Sequence, residues 1–272
     1  MIVVAYEVNA LGFIQETTLN QVSFWGDIWG ADMSEKGKYE TVLIYSPDWT
    51  HGVALKNLFI SGDDGAHYIL RTDMSAAGVF GSDGLFSNLI ILDMSPRDSV
   101  ASIVFLRRQC PDVKLIFTRQ YFLYSDRMVA EYFGGIWLKE YDALMAGYPD
   151  MGVMEHITSP LFAGPQPPVR ILSDTVTIQV VLGSLEQWMR RRLAGVISSP
   201  RTREVSLDWL IRGVSLRETA QVLRRSEKVL YHYRWRMMQA LGICHYSRDF
   251  IPSLTVAAGP TGWGGSVARF GK

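Results

Sequence analysis

The stretch from Ser199 to Ile243 reads SPRTREVSLDWLIRGVSLRETAQVLRRSEKVLYHYRWRMMQALGI and carries the starts and stops of three consecutive helices. Ser199 and Pro200 precede a predicted helix over 201–212, with Val205, Leu207, Leu210 and Ile211 on one side. Gly213 ends it, because a residue without Cβ accepts the left-handed backbone of a helix C-terminus. Ser215 caps the next helix, and Glu218 stands three residues on, where a capping box needs it. Ala220 keeps the side chain small where two helices cross. Ser226 caps a third helix over 227–241, whose inward face is Leu230, Tyr233, Met237 and Leu241.

A short helix, a tight turn and a longer helix make the helix-turn-helix plan, in which the second helix of the pair enters the DNA major groove. The segment resembles the C-terminal DNA-binding domain of the LuxR/NarL/FixJ class of bacterial transcriptional regulators. Arg201, Glu204 and Val205 match the opening of that class, and Gly213 with Ser215 its turn. Glu218 and Ala220 match its second helix, Ser226 and Lys228 the start of the third, and Leu241, Gly242 and Ile243 the end. All fall in one register without a gap. The chain departs from the class at Val229 and Leu230, at Ser206, and at Ala240. Tyr231 and Tyr233 stand where Lys and His are usual. By position in the motif, the resemblance implies that Lys228, Tyr231, His232 and Trp235 face base edges. This set has fewer charges than the class norm, so a preferred DNA sequence does not carry over.

The whole chain balances 27 basic against 27 acidic residues. Its charge is unevenly placed. From Glu186 to Asp249 there are thirteen Lys or Arg against six Asp or Glu, an excess of seven that the remainder must offset. Such a basic third suits phosphate attraction, which supplies most sequence-independent DNA affinity. Arg190, Arg191, Arg192, Arg224, Arg225, Arg234 and Arg236 contribute. Of these, Arg224, Arg225, Arg234 and Arg236 lie nearest the motif and are the expected phosphate contacts. The competing reading is a solvated basic helical surface, with Tyr231 and Trp235 packing against a neighbouring helix or a second copy.

At 272 residues the chain is long enough for two cores. No apolar run approaches the ~20 residues that cross a bilayer. The start, MIVVAYEVNALGF, lacks a basic region and carries Glu7, so a cytoplasmic protein is expected. Cys110 and Cys244 are expected to be buried free thiols, and no cluster has metal-ligand spacing. Residues 1–40 form an N-terminal extension with a strand near Ile2–Tyr6 and no further assignment.

Residues 41–150 alternate short apolar runs with helical patterns, as a parallel sheet with crossover helices requires. The runs are Thr41–Tyr45, His67–Arg71, Leu89–Leu92, 114–117 and 136–138. Helices are expected at 50–59, 98–109, 125–133 and 140–146, with a short or distorted one at 74–87. Five such strands suit a flavodoxin-like α/β domain. Residues 151–175 read as a Pro- and Gly-rich linker, 176–250 as an all-α four-helix DNA-binding domain, and 251–272 as a flexible tail.

The sheet domain resembles the receiver domain of two-component response regulators. Asp93 ends the third run, as the phosphate-accepting aspartate does in receivers. Thr118 stands at the place of the switch hydroxyl, and Lys139 at that of the receiver lysine. Receivers also place two acidic residues after the first strand to hold Mg²⁺. Here Ser46 and Pro47 stand there, and Asp48 is displaced. Phosphoryl transfer to a carboxylate needs a cation to offset charge crowding. The expectation is therefore a degenerate receiver, used for dimerisation or protein contact, with Asp93 as a loop cap. No nucleophile elbow, phosphate loop or dinucleotide fingerprint is present, and no enzyme or cofactor is expected. The resulting reading is a DNA-binding transcription regulator acting as a homodimer, or as a heterodimer with a complete response regulator. Two rivals stand beside it: a small-molecule-sensing regulator, motivated by Trp25 and Trp29, and a protein–protein antagonist that has lost DNA affinity.

Overall fold

The computed structural model describes residues 4–8, 14–18, 41–60, 66–73, 87, 89–145, 168–170 and 172–259. The chain divides into two compact units, Met1–Lys38 and Tyr39–Lys272. In the first, β1 (Val4–Val8) pairs antiparallel with β2 (Ile14–Thr18), so the strand expected near the N-terminus has a hairpin partner. Trp25, Trp29 and the segment 74–86 lie outside the described residues.

The second unit begins with a five-stranded parallel sheet: β3 (Thr41–Tyr45), β4 (His67–Arg71), β5 (Leu89–Leu92), β6 (Lys114–Arg119) and β7 (Ile136–Glu140). The spatial order is β4-β3-β5-β6-β7, the doubly wound order of a flavodoxin-like fold. Strands covered on both faces read as continuous apolar runs, and every residue of β3 and β5 is buried. Alternate residues serve opposite layers. Val42, Ile44, Leu89 and Ile91 face α1 (Trp49–Ile60) and α4 (Tyr141–Met145) through Leu55, Phe59 and Leu144. Leu43, Ile90, Leu92 and Leu115 face α2 (Val100–Gln109) and α3 (Tyr124–Phe133) through Ile103, Leu106, Val129 and Phe133.

A long helix, α5 (Ile178–Val196), follows, with the Thr177 hydroxyl accepting from Val180 N–H at its start. Its buried stripe is Val181, Leu185, Met189 and Leu193, a four-residue spacing that keeps one face inward. The first three enter the core of the sheet layer, whereas Leu193 and Ile197 belong to the core of the helical region beyond. That region holds α6 (Pro200–Glu204), α7 (Leu216–Leu223), α8 (Glu227–Leu241) and α9 (Tyr246–Leu254). Between α6 and α7 the helix widens over Val205–Leu210, so Val214 N–H bonds back five residues to Trp209 O.

Two expectations are corrected. Cys244 is exposed and Cys110 only partly buried, because Cys244 follows the helix-ending Gly242 at the surface. The chain from 251 is also not a free tail through 259. Helix α9 runs to Leu254, and Ala257 N–H then bonds Arg97 O at 2.8 Å. Amide groups in a helix's first turn have no partner within the helix. Ala258 O supplies one to Ala101 N–H at 2.8 Å, at the start of α2. Deleting residues 256–272 should therefore make the Ala101 amide exchange much faster, as read by residue-resolved hydrogen exchange. Unchanged protection would contradict the contact.

Arg107 is an unexpected core residue, only 2% exposed. Its guanidinium donates to four carbonyls, those of Pro111 (3.1 Å), Val113 (2.6 Å), Gly134 (2.9 Å) and Gly135 (2.7 Å). Burial pulls its pKa down to about 10, which leaves it charged at neutral pH. Replacing it with Met would strand those carbonyls, so Arg107→Met should lower unfolding free energy by about 3 kcal/mol or more in denaturant titration.

Candidate nucleic-acid interface and receiver-like pocket

The helical region presents its longest helix through a well-defined turn. Ser215 Oγ accepts from Glu218 N–H (3.2 Å) and Glu218 Oε2 accepts from Ser215 N–H (3.0 Å), completing the capping box at the start of α7. The Ser215 bonds hold the Glu218 carboxyl below its ordinary pKa. Arg224 closes α7 in the left-handed region (φ 50°, ψ 48°), and Arg225 N–H returns to Ala220 O at 2.9 Å. Ser226 stands at the N-terminus of α8 with extended backbone, but its side chain makes no capping bond. Gly242 ends α8 with φ 66°.

Within α8, Leu230 and Met237 are fully buried, and Tyr233 and Leu241 pack partly buried on the same core. The opposite face is open: Lys228, Tyr231, His232, Trp235 and Arg236 are all exposed. So are Arg224 and Arg225 in the turn before it. His232 stacks on Trp235 with centroids 6.0 Å apart. Arg234 is different. Its guanidinium lies 4.6 Å over the Tyr231 ring and 3.7 Å over that of Tyr246, joining α8 to α9. Sequence reasoning missed this clamp, because Tyr246 approaches from the next helix.

The three residues singled out in the sheet come to one edge of it. Leu92 lies opposite Phe117, and Thr118 lies opposite Lys139, so Asp93, Thr118 and Lys139 follow one another across neighbouring strand ends. Asp93 is buried, and its N–H bonds Tyr45 O at 2.8 Å. Its Oδ2 accepts from Ser46 Oγ at 2.7 Å, and its Oδ1 accepts from the Tyr141 hydroxyl. Burial, then donation to Asp93, raises the Tyr141 pKa and keeps that hydroxyl protonated. Thr118 is fully buried, with no hydrogen-bond partner for its hydroxyl among the described residues. Burial lowers the Lys139 amine pKa. Ser46 was visible as a departure from the receiver pattern. Tyr141 gave one weak signal, its place two residues after Lys139.

A magnesium ion does not fit these residues. It asks for near-octahedral oxygen ligands around the acceptor. Both Asp93 oxygens already receive hydroxyl donors. The displaced Asp48 spends Oδ1 on Thr50 N–H (2.8 Å) and His51 N–H (3.2 Å) at the start of α1, bonds that hold its pKa low. Among the described residues no group of three His, Cys, Asp or Glu is placed to hold a metal.

The same edge meets α9. Ser125 Oγ donates to Pro252 O (2.7 Å), and Tyr121 O–H donates to Asp249 Oδ1 (3.4 Å). Between them lies a cavity of about 430 Å³ whose lining includes Asp93, Arg97, Arg119, Tyr141 and Arg248.

No protein-family model matches the chain, and no curated protein matches it. Solved structures do. A structure of two RcsB dimers bound to two parallel DNAs overlaps 79% of this chain and 98% of its own, with TM-score 0.50 at 18% identity. RcsB from Salmonella enterica serovar Typhimurium, bound to promoter rprA with BeF3⁻, gives the same coverages and TM-score at 16% identity. The chain shares the fold of these structures, a five-stranded parallel receiver-like sheet followed by a helical region.

In the helix-turn-helix the Arg224 backbone carries strain, since a left-handed residue with a side chain costs roughly 1 kcal/mol relative to glycine. Arg224→Gly should hold or raise the thermal midpoint, even though it removes a cation. A fall in the midpoint would show that the side chain itself stabilises the turn.

Proposed function

We propose that this protein is a DNA-binding transcription regulator that acts as a dimer, with itself or with a complete response regulator, largely independently of phosphorylation. The observation that carries this reading is the open face of α8, presented by a capped turn and flanked by Arg224, Arg225 and Arg236. Lys228, Tyr231, His232 and Trp235 meet base edges, while the flanking arginines hold phosphates. Arg234 joins them from its stacked position, because stacking uses the flat face of a guanidinium and leaves its N–H edge for an anion. The RcsB structure, which holds dimers on DNA, supports the same use of this fold. Two half-sites about one helical turn apart suit a dimer, and each copy then needs few base contacts. The receiver-like domain governs assembly: its Asp93 is held by the Ser46 and Tyr141 hydroxyls, and among the described residues no group of three His, Cys, Asp or Glu is placed to hold the metal that phosphoryl transfer uses.

Fluorescence anisotropy on randomised and promoter-derived duplexes tests this. Affinity should fall at least about tenfold between ~50 and ~200 mM salt. Arg225→Glu combined with Arg236→Glu should abolish it, and acetyl phosphate with Mg²⁺ should change neither binding nor mass. Salt-independent binding, or a phospho-adduct lost in Asp93→Ala that alters affinity, would overturn the proposal.

A second reading, small-molecule sensing, is favoured by the cavity of about 430 Å³ where the sheet edge meets α9. That volume falls within the usual range of ligand sites. A metabolite that raises the thermal midpoint and shifts DNA affinity would support it.

A further inference from the structure

The outward face of α8 is made of rings. Residues 228, 231, 232 and 235 share one face of a helix by spacing. Tyr231 is 48% exposed and Trp235 55%, large apolar surfaces to leave in water. Their orientations are set before any partner arrives. Arg234 clamps Tyr231 against Tyr246 on α9, and His232 lies nearly parallel to Trp235 at an interplanar angle of 23°. Such a preset panel loses little side-chain freedom on binding.

The major groove offers each kind of side chain a different target. Guanine is read by the paired donors of Arg or Lys, and adenine by Asn or Gln. Thymine is set apart by its 5-methyl group, which apolar side chains contact. The shared face of α8 carries one cation, Lys228, among three rings. Arg234 spends its flat face on Tyr231 and Tyr246. Rings lack the paired donors that guanine needs, but they offer broad apolar area with single polar handles.

We infer that α8 reads pyrimidine 5-methyl groups in the major groove through Tyr231, His232 and Trp235. The methyl comes from thymine or from 5-methylcytosine, which present it at the same place. This inference rests on the DNA-binding reading and names what that site selects.

The full-length protein would be used to select duplexes from a randomised pool, and affinities measured by anisotropy. Each thymine of the selected site is then replaced by deoxyuridine, which removes the methyl and nothing else. Dissociation constants should rise about fourfold per contacted methyl, the equivalent of withdrawing one buried CH₂. Trp235→Ala and Tyr231→Ala should bind more weakly and lose this discrimination. Both side chains are exposed, so circular dichroism melting should show the variants folded. Placing 5-methylcytosine at a contacted position separates the sources. Recovery supports reading of the methyl alone, and absence of recovery confines the reading to thymine. A selected duplex indifferent to every deoxyuridine, or discrimination surviving in both variants, would overturn the inference while DNA binding stood. If no duplex were enriched at all, the DNA-binding reading would fall and the inference with it.

Discussion

One apolar stripe, Val181, Leu185, Met189 and Leu193 on α5, ties the two halves of the second unit together. A helix is stiff over its length, so a stripe that serves two cores fixes their spacing. The contact is reinforced around it. Tyr124 O–H donates to Met189 O at 3.3 Å, and Arg192 lies 4.8 Å over the Trp188 ring while pairing with Glu131. Burial lifts the Tyr124 pKa to about 12, so that donor stays protonated. The stretch before α5 is anchored as well: Arg170 N–H bonds Phe133 O, and its guanidinium lies 4.1 Å over Tyr132. The α9 contacts and the 257–258 backbone bonds add further links between the helical region and the sheet layer.

This packing leaves the outer face of α8 open while it closes the strand ends around Asp93. In open α/β sheets chemistry belongs at those strand ends. Here the carboxylate is answered by two neutral hydroxyls, with His51 Nδ1 3.9 Å from its Oδ2, while Asp48 caps a helix. Such a site keeps its carboxylate at a strand end but surrounds it with hydroxyl donors. The cation excess lies elsewhere, in the last third of the chain, where seven more Lys and Arg than Asp and Glu collect between Glu186 and Asp249.

Much of the fold was legible in short-range pattern. All five strands of the sheet stand where apolar runs were read, most plainly β3 and β5, because a strand buried on both faces must be apolar throughout. The helix-turn-helix was legible through its caps, since Ser215, Glu218 and Gly242 act on backbone groups within a few residues. Less legible was the widened turn at Val205–Leu210, which periodicity read as plain α-helix. The fixed course of 255–259 was equally hidden, because its partners are backbone atoms of Arg97 and Ala101, which carry no sequence signal.

Local pattern set the order of elements, the spacing of Asp93, Thr118 and Lys139 along the chain, and the exposed character of the α8 face. Those depend on periods of two and 3.6 residues and on capping chemistry, all local properties. Long-range packing brings Tyr141 and Ser46 to Asp93 across 48 and 47 residues, gives Arg107 its four carbonyls, and sets Tyr246 against Arg234. Hydrogen bonds and ring contacts act over a few ångströms, and which distant residues come that close is set by how the layers pack.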